Sequence, residues 1–231
     1  MRSSLVPLAV SAGALLALAA SGAAPGEAAG HCCAQLEAPR VATSLVVNPE
    51  GRDAPPPDAE PRPTPLDAGA EGLAAGQAYE DVFGMLKDDN PCSRFYGGPR
   101  VAVTVFNEFA RRLRKKTLGV SDVGLVMSGD YTLYHDMESG ASYRLFEEAA
   151  INRSGPFFVT PPPAGARFQV GRFQAATRPA KALMLLHELG HLIRGADGWV
   201  LPNDGGDAAL SDRNTRAVES RCLGQLLALR E

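Results

Sequence analysis

From residue 70 onward the apolar positions follow two periods, and these divide the chain into helices and strands. Residues 70–87 carry apolar side chains at helical spacing and stop before Asn90-Pro91, so a helix is predicted there. Gly97-Gly98-Pro99 reads as a turn. In VAVTVFNEFARRLRKK (101–116), Val105, Phe106, Phe109 and Leu113 predict a second helix, with Arg111, Arg112, Arg114, Lys115 and Lys116 as its solvated face and last turn. The middle is strand-like. Segments 120–127, 131–135, 142–151, 155–159 and 166–174 are short, rich in β-branched and aromatic residues, and bounded by Gly, Asp or Pro. They predict a small antiparallel sheet. Apolar residues then crowd 178–194, where Thr177 suits a cap, Pro179 a first turn and Gly195 a stop. Leu183, Met184, Leu185, Leu186, Leu189, Leu192 and Ile193 leave that helix apolar on every side, which predicts burial. A last helix is predicted over 211–229. The fold class is α+β.

The first third reads differently. Arg2 precedes a stretch without charge from Ser3 to Gly26, and small residues surround Gly22 to Ala24. Residues 1–23 therefore read as a secretory signal peptide. Eight of the 18 prolines lie between Pro39 and Pro65, so 24–66 reads as an extended, disordered tether. The folded domain is expected over 67–231. Export permits disulfides, and four cysteines allow three pairings. Cys32 and Cys33 are adjacent and lie in the tether. Cys92 flanks a predicted helix, Cys222 belongs to the last one, and their pairing is favoured. A net charge of −3 gives no reason to expect nucleic acid as a partner. After cleavage no stable membrane insertion is expected, and the domain should be a monomer.

The buried helix poses the chemical question. The chain has four histidines, and two of them, His187 and His191, stand four residues apart in LMLLHELGHLIRGADG. At that spacing both imidazoles reach one point above the helix. Neutral imidazoles in an apolar interior are costly without partners, and a cation supplies one. Glu188 follows the first histidine, which completes HExxH: two zinc ligands and a carboxylate able to take a proton from zinc-bound water. The plain alternative is a pair of core histidines bonded to backbone carbonyls, with Glu188 in an ion pair.

At HELGH the sequence resembles the zincin metallopeptidases. The resemblance implies a zincin-like domain, with the HExxH helix packed beside the sheet. It also implies Zn²⁺ on His187 and His191, Glu188 as general base and acid, and a peptide or protein substrate. With INRSGPFF, LPND and NTRAVESRC, the pattern is similar to a group of exported bacterial proteins that carry the same helix. That likeness implies a secreted or periplasmic location and supports the Cys92–Cys222 pair.

Two histidines hold zinc weakly, so a third ligand is expected. HExxHxxGxxH does not continue here: Arg194 stands at the glycine position and Asp197 at the last. Asp204, in the Gly-rich LPNDGGD, ranks first. Glu219 on the last helix ranks second; it resembles the glutamate of thermolysin-like zincins, although Leu223 stands where those carry a companion acid. Asp197 ranks third. Asn214 is a candidate to orient a ligand, Tyr143 or His135 to stabilise an oxyanion, and 166–174 to line up substrate backbone as an edge strand. The expected function is an exported zinc-dependent hydrolase. The alternative is a non-catalytic binding module of the cell envelope on a zincin-like scaffold.

Overall fold

A computed structural model describes residues 70–118, 123–159 and 169–229. The expected signal peptide and tether lie outside the described residues. Among these residues no helix is long and apolar enough to cross a membrane.

Three helices come first: α1 (Ala70–Leu86), α2 (Pro91–Phe95) and α3 (Pro99–Ala110). The short α2 is absent from the reading of the sequence, yet its cap is local chemistry. Asn90 Oδ1 accepts from the Cys92 and Ser93 amides, and Ser93 Oγ accepts from the Asn90 amide. The strands β1 (Leu113–Lys116), β2 (Leu125–His135) and β3 (Ser142–Asn152) follow. Two-residue strands β4 (Gln169–Val170) and β5 (Phe173–Gln174) precede α4 (Arg178–Leu192). Then come β6 (Ile193–Gly195), β7 (Gly198–Trp199) and α5 (Ala208–Ala228).

The fold is mixed α+β, and the sheet corrects the antiparallel expectation. β3 is its centre. β2 runs antiparallel along one edge, while β1 lies parallel beside Ala149–Asn152 and β6 antiparallel beside Ser142 and Tyr143. The parallel pair arises because the helix predicted over 101–116 ends at Ala110. Leu113 and Lys115 turn inward while Arg114 and Lys116 turn outward, a period of two that pairing with β3 selects over the helical one. Segments 125–127 and 131–135 form one strand, β2, kinked where Gly129 adopts φ 84° and the register shifts between Ser128 and Tyr131. Segment 155–159 is a turn around buried Phe157 instead of a strand. Among the described residues, segment 166–174 supplies the β4–β5 hairpin, a two-stranded sheet separate from the main one.

α4 is buried from Ala182 to Ile193 and packs against α1 and α5, as its composition predicts. Arg178 pairs with Asp81 of α1 at 2.6 Å, and Tyr96 donates to the Leu186 carbonyl at 2.7 Å. Its end differs from expectation. Ile193 is already extended (φ −98°, ψ 135°) and pairs with Tyr143, so sheet pairing ends the helix before Gly195. Thr177 is the cap residue, but its hydroxyl donates to the Gln174 carbonyl. The sulfurs of Cys92 and Cys222 lie at bonding distance, with Cα atoms 4.4 Å apart across a sequence separation of 130. A bond closing so long a loop stabilises by ~4–5 kcal/mol in the chain-entropy model. It ties α2 to α5, which carries two residues of the site below.

Candidate metal centre

α4 presents His187 and His191 one turn apart, with ring centroids 4.9 Å apart and Nε2 atoms 3.0 Å apart. Asp204 reaches them from the loop between β7 and α5. Its Oδ2 is 3.2 Å from His187 Nε2 and its Oδ1 is 3.4 Å from His191 Nε2. Exposure is 0% for His187, 1% for His191 and 3% for Asp204.

The loop is held by backbone bonds that the HELGH sequence makes possible. The Val200 amide donates to the Ile193 carbonyl, and the Leu201 amide to the Gly190 carbonyl, both at 2.9 Å. Asn214 Nδ2 donates to the Pro202 carbonyl at 2.9 Å, so Asn214 acts on the loop that carries Asp204. Gly190 is what lets the loop approach. A Cβ there would stand 2.5 Å from Leu201 Cγ and 2.6 Å from its Cδ1. Gly190→Ala gains helix propensity, about 0.5–1 kcal/mol. It also drives a methyl into a side chain whose own amide is tied to residue 190, and such overpacking costs about 1–3 kcal/mol. The expected net result in urea denaturation is a loss of stability, with Asp204 displaced and metal affinity reduced; a stabilised variant with unchanged affinity would contradict this packing.

The trio meets the requirements of a metal ion on two counts. Tetrahedral donors about 2.1 Å from an ion stand about 3.4 Å from one another. Here the two Nε2 atoms are 3.0 Å apart, Asp204 Oδ2 is 3.2 Å from that of His187, and one donor atom from each of the three side chains lies within 4.8 Å of the others. Second, buried oxygens are left over: Asp204 Oδ1 and Glu188 Oε2 are enclosed without a hydrogen-bond donor. Orphaned acceptors of this kind are costly, and a cation held by the trio would satisfy the carboxylate of Asp204. The three side chains form a group able to hold a metal ion. Behind it, Thr215 Oγ1 lies 3.0 Å from His187 Nδ1, so a proton on Nδ1 leaves the Nε2 lone pair facing the centre.

Burial dominates the electrostatics. It pushes Glu188, 1% exposed, from 4.5 up to about 8; nearby Asp204 adds to the rise and His187 opposes it. Burial also lowers His191, against the pull of Asp204. Asp204 itself would be raised by burial, but the imidazoles of His187 and His191 outweigh this and hold it well below the usual carboxylate range.

The other candidates fall elsewhere. Glu219 is buried on α5, where Arg172 of the β4–β5 turn pairs with it, and it is not in the group. Asp197 is exposed in the β6–β7 turn. Tyr143 is buried against Tyr134, with rings 5.1 Å apart, and burial pushes its hydroxyl up to about 12. His135 is exposed and bonds Ser142. A groove of about 510 Å³ runs beside Phe95, Ile193, Arg194 and Val200, and contains none of the trio.

The chain matches no family model, no curated protein and no solved structure. Two features of the site escape the reading of the sequence. Thr215 is one; its signal is that Ser211, Asn214, Thr215, Val218, Glu219 and Cys222 share one buried stripe of α5, polar where a core helix would be apolar. The other is Arg144 of β3, whose Nε donates to the His191 carbonyl at 2.9 Å.

Proposed function

We propose that the protein is an exported zinc-dependent hydrolase of the zincin type, acting on peptide bonds. The observation that carries this reading is the arrival of Asp204 at the two histidines, which completes a buried set of two nitrogens and one carboxylate oxygen. That donor set suits Zn²⁺ as a catalytic ion, which needs three protein ligands and one open position. When bound there, zinc would polarise the scissile carbonyl and acidify water at the open position. Glu188 would take the proton of the attacking water and return it to the leaving amine, and no covalent intermediate forms. Asp204, His187 and His191 stay fixed through the cycle, held by the Gly190–Leu201 contact and by Thr215. Residues 1–23 are the export signal in this reading.

The enclosure of the trio and Glu188 favours a second reading, a structural metal in a non-catalytic envelope module. One experiment separates the two. Purified protein should carry one zinc per chain and cleave members of a peptide library, cleavage should stop on chelation, and stoichiometric zinc should restore it. Zinc without cleavage selects the second reading. A chain that never takes up metal, and His187→Ala equal to the parent in every assay, would remove both.

A further inference from the structure

Arg144 is an unusual cation for its surroundings. It is 7% exposed, yet among the described residues no carboxylate lies within ion-pair reach of it. Three rings wall its guanidinium, with centroids at 4.1 Å for Trp199, 5.4 Å for Phe146 and 5.5 Å for Tyr131. Nε is used by the His191 carbonyl, while Nη2 is buried with no hydrogen-bond partner. A guanidinium keeps its charge in such a place, because its proton affinity is too high to surrender. Aromatic faces and one carbonyl offset part of the desolvation, but an unpaired N–H remains.

The missing partner is defined by the fork left open. A guanidinium with free N–H groups in one plane fits a planar anion with two oxygens, which is a carboxylate. The position also matters: Arg144 bonds the backbone of a residue whose side chain belongs to the trio. On the same face of the sheet its cross-strand partner is Leu133, and that of Phe146 is Tyr131; Leu133 and Tyr131 are 45% and 40% exposed. Apolar surface therefore lies beside the cation. Trp199, the nearest ring, is only partly buried and Tyr131 is 40% exposed, so these two sides of the wall face solvent and can yield to a ligand.

We propose that Arg144 binds a carboxylate of the peptide substrate, with Tyr131 and Leu133 receiving an apolar side chain next to it. The proposal rests on the hydrolase reading for the word substrate; the binding event itself does not need hydrolysis. The carboxylate can belong to the C-terminus of the peptide or to an acidic side chain.

Trp199 makes the test direct, because it is the only tryptophan in the chain. The full chain is titrated by tryptophan fluorescence, with chelator present so that peptides stay intact. Three peptides are used: an N-acetylated tripeptide ending in leucine acid, its C-terminal amide, and an amide of the same length with an internal glutamate. A saturable change is expected for at least one carboxylate-bearing peptide, with the plain amide about tenfold weaker or worse. Saturation by the leucine acid alone assigns the site to C-termini; saturation by the glutamate peptide assigns it to acidic side chains. Arg144→Lys keeps a charge but loses the fork, and it should narrow the discrimination between acid and amide. Equal titration by acid and amide in the parent overturns the proposal, even if Arg144→Lys fails to fold. A zinc-loaded chain that cleaves none of these peptides, while the titration still shows carboxylate binding, would count against the hydrolase reading alone.

Discussion

Glu188→Gln should leave zinc in place in the loaded protein and cut hydrolysis by about 10²–10⁴-fold, the contribution of a positioned acid–base group. The two halves of this result come from different atoms. The ion would be held by His187, His191 and Asp204, and Glu188 is not in that group. The substitution keeps the volume of the side chain and removes only its ability to take a proton. Packing around residue 188 should not change, since Gln fills the same enclosed space on α4. Metal content per chain and kcat, measured on the same preparation, check both halves. A variant with full metal and full activity would end the assignment of Glu188 as base. A variant without metal would show instead that the carboxylate helps to hold the ion.

The pair on α4 was legible because two signals coincide there: an apolar run that forces burial, and polar residues four apart inside it. Asp204 was legible only as one of three acids. What separates it from Glu219 is a contact between distant residues, Gly190 against Leu201, which brings the LPND loop down onto the helix. Sequence spacing carries no trace of that meeting. Glu219 shares the buried stripe of α5 with Thr215, so nothing local told a residue facing the histidine pair from one facing the β4–β5 turn. Arg172 decides, and it arrives from another element. The same logic explains the error over 111–116. A basic run fits a helical surface and an alternating strand equally well, and the partner that selects the strand, β3, lies more than thirty residues away in sequence. Local chemistry was read well where it acts alone; non-local pairing decided the rest.

The centre also joins chemistry to stability. Without metal, the structure encloses a carboxyl group, two imidazoles and a second carboxylate in one apolar volume, and their charges must be settled by protons alone. Hence the same substitution that removes activity should strengthen the metal-free fold. Glu188 is raised from 4.5 to about 8 by burial first and by Asp204 second. A group raised in this way contributes its full stability below pH 4.5, where it is protonated in both the folded and unfolded chain. That contribution is lost as pH rises towards about 8, because the unfolded chain gives up the proton and the folded chain resists doing so. The gap between 4.5 and about 8 corresponds to roughly 4–5 kcal/mol. Gln cannot ionise, so the metal-free variant should match the parent near pH 4.5 and melt higher by roughly 10 °C at pH 8 to 9. His191, lowered by burial, tilts stability the other way below pH 6.5, and Asp204, held low, does so below the usual carboxylate range. Both groups are present in parent and variant, so the difference between the two melting curves isolates Glu188. Zinc should shrink that difference, since Glu188 beside a dication ionises readily. Calorimetry of both chains across pH 4.5 to 9, with and without zinc, provides the check, and a melting difference independent of pH would mean that Glu188 is not enclosed as the structure has it.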